Sequence, residues 1–246
     1  MNGHADRSIA NTNENLFDQL QSALKDGIID RTKHWQTFQQ AVNVARESSP
    51  SNEEINTLNR IDALFYDNWN VRKLSIAKGT LFFLLLTIIS EIVYWLVLES
   101  SREKFLAIAF YMLASFVSVS CSHVVVHWLT GRIVGIRFRG YFISRTGMRT
   151  SAFPPPVIIA KPPIPGIKYE LGSFLRASRG KRTLMLISAP ILMSLWFILN
   201  YWLLIQYFSF QDSVIRLIGI ITILAYIGNL IPSYLWGDLR EARLDY

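Results

Sequence analysis

A single cysteine, Cys121, is all the thiol chemistry this 246-residue chain has, which excludes an intramolecular disulfide framework and any cysteine-based zinc finger. Charge is scarce too. Only 17% of the residues are Asp, Glu, Lys or Arg, against 51% hydrophobic, a composition of membrane proteins. Acids are scarcer than bases, which leaves a formal net charge of +7. In a soluble protein that excess would suggest nucleic acid. Here the position of the charges explains it better, and no nucleic-acid partner is expected. Residues 1–78 contain no apolar run of the kind that opens a cleavable signal peptide, so none is expected.

What is present begins with a polar start, MNGHADRSIANT, and then three amphipathic helices. The first carries Leu16, Phe17, Leu20 and Leu24 on one face and stops near Gly27. The second carries Trp35, Phe38, Val42 and Ala45 and ends before the Ser-Ser-Pro-Ser stretch. The third starts from Ser51 with Glu54 three residues on, the spacing of a capping box, and repeats Ile55, Leu58, Ile61 or Asp62, and Phe65. With nine Lys/Arg and ten Asp/Glu, residues 1–78 form a soluble appendage. Periodicity leaves open whether it packs on itself or on the rest of the chain.

Residues 79–246 carry about four stretches long enough for a hydrocarbon core of about 30 Å. They lie near Thr80–Leu98, Phe105–Gly131, Leu184–Phe208 and Val214–Pro232. The connections 99–104 and 209–213 are short and make antiparallel hairpins. The connection 132–183 holds eleven Lys/Arg and one acid, Glu170. By the positive-inside rule this loop is cytoplasmic, and so are both termini. Within it, IRFRGYFISR alternates like a strand with two unlike faces, and the proline-rich SAFPPPVIIAKPPIPGIKYELGSF reads as extended segments with turns.

Two histidines, His123 and His127, fall near the cytoplasmic end of the second stretch. At positions i and i+4 they share a helix face and could hold one divalent metal. A zinc peptidase needs a glutamate directly after the first histidine as general base, and that position is Val124. The fourth stretch reaches the same membrane face and ends GNLIPSYLWGDLREAR, where Pro232 is expected to break the helix. Asp238 beyond that break would supply a third ligand and leave the fourth position of a zinc site open. Asn229 could hold substrate backbone through its amide.

HVVVHWLTGRIVGIRFRGYFI resembles the first motif of the site-2 protease family of intramembrane zinc peptidases: His-Glu-x-x-His on a helix, then a small residue, Arg, and a Gly leading into a strand. NLIPSYLWGD resembles the second motif, Asn-x-x-Pro followed by an Asp-Gly that supplies the third ligand. SAPILM at 188–193 resembles the Gly-Pro start of the intervening helix. The resemblance covers residues 80–240 and implies metal ligands at His123, His127 and Asp238, with zinc as the cofactor. Two departures stand out. Val124 replaces the glutamate, and the last motif reads Gly237-Asp238. The family's base maps to no residue, so no catalytic residue is assigned. Zinc-bound water could still form, but hydrolysis without a base should lose several orders of magnitude.

The remaining features have plainer readings. Glu91, mid-span in the first stretch, is either a displaced base or a carboxyl hydrogen-bonded between helices. Cys121 points away from the histidine face and suits packing. Trp95, Trp128, Trp196, Trp202 and Trp236 suit membrane interfaces and helix packing. The cations of the loop suit topology, with anionic lipid as a secondary contact. The expected fold is an α-helical polytopic membrane protein with a small cytoplasmic β element and an N-terminal helical appendage. The expected function is that of a pseudopeptidase in the lipid bilayer that binds or regulates a transmembrane protein client. An active metallopeptidase with an unconventional base such as Glu91, or a metal-free helical scaffold, are the alternatives.

Overall fold

The computed structural model describes residues 16–236 except 28, 49, 70, 101–102, 145–163 and 209–211; the side chains of 225–236 are not among those described. Three helices open the described chain: α1 (residues 16–25), α2 (Arg31–Glu47) and α3 (Asn52–Asp67). Gly27 ends α1 at φ +68°, in the left-handed region that glycine enters without strain. The capping box at α3 forms in both directions. Ser51 Oγ accepts from the Glu54 amide (3.2 Å), and the Ser51 amide donates to Glu54 Oε2 (2.6 Å).

β1 (Arg72–Leu74), a strand too short and too charged to show alternation, leads into α4 (Ile76–Ser100) and α5 (Lys104–Val134). α5 has 31 residues, or about 46 Å of helix, longer than a hydrocarbon core requires. It stops at Gly135, whose φ of +88° turns the chain, and β2 (Phe138–Ser144) follows at once. β2 pairs antiparallel with β1 (Leu74 opposite Tyr141) and with β3 (Ile164–Tyr169; Ile167 opposite Tyr141), so the sheet order is β1-β2-β3. The strand expected in IRFRGYFISR is this central one. The prolines at 154–163 lie outside the described residues.

After the sheet come α6 (Leu171–Arg176), α7 (Arg179–Tyr207) and α8 (Ser213–Trp236). Three helices, α4, α5 and α7, are long and apolar enough to cross a membrane, and the described apolar part of α8 is the shorter Ser213–Leu224. Two expectations about proline change. α8 continues through Pro232 to Trp236 instead of breaking there. Pro190 lies well inside α7, not at its start. In apolar helices the lost amide bond can be absorbed by neighbouring helices and hydroxyl side chains, so such prolines do not end the element.

The N-terminal helices do not stand apart. Phe17, Leu20, Phe38, Leu58, Ile61 and Phe65 share one core with Ile136, Leu171, Phe174, Leu175, Met185 and Leu186. The described parts of 16–67 and of 136–144 and 164–186 therefore sit at the same end of the helix bundle. Cations of the 132–183 connection fix that docking. Arg179 and Arg182 donate to the carbonyls of Glu47 (3.2 Å) and Arg46 (3.3 Å) at the C-terminus of α2, where the helix dipole favours positive charge. Lys168 pairs with the buried Asp62 of α3 at 2.5 Å. Arg137 pairs with Glu170, the acid of the loop, at 3.1 Å. These contacts give the cations a structural task in addition to the topological one expected of them.

The sheet is held to α4 by Tyr141. Its ring is fully buried, packs on Phe83 and lies where a Cβ on Gly79 would have to be, while its hydroxyl bonds Thr80 Oγ1 at 2.9 Å. At the opposite end of the bundle Lys104 of α5 pairs with Asp212 at 2.7 Å. Asp212 also caps α8, its Oδ1 accepting from the amides of Val214 (2.8 Å) and Ile215 (3.4 Å). The Lys104 ammonium, and then the Val214 amide, hold the Asp212 carboxyl below the usual carboxylate range. A carboxyl depressed in the folded state contributes stability above its unfolded pKa, about 3.9, and loses it as pH falls through the folded value. Thermal unfolding midpoints measured from pH 6 downward should thus fall below about pH 4, and Asp212→Asn, which keeps the cap and removes the charge, should flatten part of that fall. An identical acid limb in the variant would refute the assignment.

Candidate functional site

α5 presents the two histidines to the N-terminal half of α7, His127 at Met185 and His123 two turns further on at Met193. Their rings lie 4.6 Å apart between centroids and nearly perpendicular, at 89°. His127 is buried, and its Nδ1 lies 2.9 Å from the Met185 carbonyl, which also accepts from Ser188 Oγ at 2.9 Å. A carbonyl can only accept, so Nδ1 carries the proton in this contact. Metal-bound histidines are commonly oriented in this way, and so are histidines that merely join two helices. His123 Nδ1 meets the Met193 sulfur, one more tie from α5 to α7.

Asp238 and the Asn229 side chain, the other residues expected at this site, lie outside the described residues. Among the described residues no group of three or more His, Cys, Asp or Glu side chains comes together. The described part of the site thus offers two nitrogen donors, one fewer than a catalytic zinc takes from protein.

Val124, in the position of the missing base, is 1% exposed and packs among Phe83, Cys121, Val125 and Tyr141. Cys121 has the packing role expected of it.

A second polar constellation lies deeper, around Glu91. Its Oε1 accepts from Ser118 Oγ of α5 and from Trp196 Nε1 (2.8 Å) and Asn200 Nδ2 (3.1 Å) of α7. Asn200, fully buried, also donates to Ser115 Oγ (3.3 Å), and its carbonyl accepts from the Tyr94 hydroxyl (3.0 Å). Ser90 bonds Ser118 at 2.9 Å. Glu91 thereby joins all three long apolar helices at mid-span, and its described partners include neither histidine. Sequence reasoning singled out Glu91 but missed Asn200, Ser115 and Ser118, and it read Trp196 as packing or an interfacial anchor. The usable signal was the i, i+4 pair Trp196 and Asn200 on an otherwise aliphatic helix face.

Comparisons with protein-family models, with curated proteins and with solved structures gave no match.

Proposed function

We propose that the chain is a multi-pass membrane protein of site-2-protease-like design that does not hydrolyse peptide bonds and acts by binding or regulating a membrane-protein client. The observation that carries this reading is Val124. Where the chemistry would need a carboxylate base there is an apolar side chain, buried in a cluster with Phe83, Cys121, Val125 and Tyr141. Glu91, the alternative base, is occupied in joining α4 to α5 and α7 and has no described contact with the histidines. The orientation belongs to the same proposal. The end of the bundle that holds the N-terminal helices also holds the described parts of the 132–183 connection, whose eleven Lys/Arg against one acid support a cytoplasmic placement of that end.

A second reading, a metal-free scaffold, is favoured by the bond from His127 to the Met185 carbonyl, which satisfies the ring without a metal. Purified protein in vesicles separates the readings. No cleavage of a transmembrane substrate is expected. About one zinc per chain that disappears in His123→Ala/His127→Ala supports a retained metal site, and no zinc in either protein supports the scaffold. Cleavage by the wild type, abolished by Glu91→Gln, would overturn the proposal in favour of an active peptidase.

A further inference from the structure

The Glu91 carboxyl is only half satisfied. Three donors converge on Oε1, whereas Oε2 has no hydrogen-bond partner among the described residues and is not enclosed by them. Glu91 is partly exposed on α4, with Ile88 and Trp95 about half exposed one turn to either side, and Leu192 and Leu199 flank Trp196 in the same way on α7. Oε2 therefore opens on an apolar surface at mid-span, where an unpartnered polar oxygen faces hydrocarbon at considerable cost. Among the described residues no donor reaches it. All the lysines and arginines of α4, α5, α7 and α8 lie within the first or last turns of those helices.

We infer that Glu91 is the docking point for a membrane-spanning helix that carries a lysine or arginine at mid-span. The inference rests on the client-binding reading above and specifies the client's chemistry. The three donors from α5 and α7 hold Oε1 and aim the carboxyl outward. A cation arriving in the bilayer on another helix supplies the donor that Oε2 lacks, and each buried charge relieves the other's desolvation. The lip of Ile88, Trp95, Leu192 and Leu199 gives the incoming helix an apolar surface on both sides of the pair.

The test uses the full chain, labelled at an N-terminal tag, in phosphatidylcholine vesicles with synthetic leucine/alanine helices of about 21 residues. Their central residue is lysine, leucine or glutamate, and energy transfer reports association. The lysine helix is expected to bind about tenfold more tightly than the leucine helix, and the glutamate helix no better than leucine. Glu91→Gln retains an oxygen for the three internal donors but turns the outward acceptor into an amide donor, so it should abolish the lysine preference and keep the fold. Equal binding of lysine and leucine helices to the wild type would overturn the inference. Undiminished lysine binding to Glu91→Gln would overturn it as well. Mass analysis of the recovered helices keeps the two proposals apart. Cut peptides would sink the non-hydrolysing reading whatever the preference, and intact peptides without preference would sink only the docking site.

Discussion

Val124→Glu is expected to give no peptidase and to destabilise the protein by about 3 kcal/mol, the upper part of the range for a buried polar group left without a partner. The side chain is 1% exposed. Its neighbours Phe83, Cys121 and Val125 offer no strong donor, and the hydroxyl of the fourth, Tyr141, is engaged with Thr80. A glutamate also adds volume to a filled cluster, which costs a further ~1–3 kcal/mol when the backbone must shift. Because Tyr141 anchors the sheet to α4, the damage should reach the sheet. Thermal unfolding in detergent, together with a cleavage assay, checks both halves. Metal-dependent cleavage by a variant as stable as the wild type would mean that the site lacks nothing except its base, and the pseudopeptidase reading would have to give way to a recently silenced enzyme.

Asp62→Ala should be nearly as severe, about 3 kcal/mol, the low end of the penalty for breaking a buried ion pair by removing one partner. Asp62 is 4% exposed, and Lys168 retains some access to solvent, which limits the cost to that low end. The pair joins α3 to β3, so its loss should loosen the N-terminal helices from the sheet before it affects the apolar helices. Asp62→Leu combined with Lys168→Met should recover most of the stability, since two apolar side chains of similar size can replace such a pair at little net cost. Protease sensitivity of residues 16–67 and the unfolding midpoint are the measurements. A single variant within 1 kcal/mol of wild type would show that the pair is not what docks α3.

Local signals were the most legible in the sequence. Ser51 and Glu54 announce the start of α3 and the alternation of Phe138 to Ser144 a strand, because each depends on neighbours close in the chain, whereas α5 runs past the expected end at Gly131 to Val134. The β1 strand was not legible. Arg72–Leu74 is strand only because β2 offers it an edge, and three residues show no period. Asp62 was ambiguous with Ile61 as the inward residue, and both are buried, since an ion pair with a distant strand lets a charge sit on a core face. The partners of Glu91 were illegible for a different reason. Helices that are apolar on every side carry no stripe that sets their rotation, so which of their polar residues meet depends on packing between helices. The site was legible only to that extent: the sequence pointed to the histidines and Glu91, and the structure supplies what they touch.

The shared core of the N-terminal helices has a consequence in time. Phe17, Phe38 and Phe65 leave the ribosome about 105 to 170 residues ahead of Leu171, Phe174 and Met185, the residues that cover them, and the two groups are separated by the hairpin of α4 and α5, both apolar enough to cross a membrane. At synthesis rates of about 5–20 residues per second the early apolar face stays uncovered for roughly 5–35 seconds. During that interval α2 also lacks Arg179 and Arg182 at its end. The first third of the protein is therefore made early and finished late: on the membrane reading proposed above, its assembly waits for the insertion of α4 and α5, and a chain whose hairpin fails to insert would leave that third without its cover.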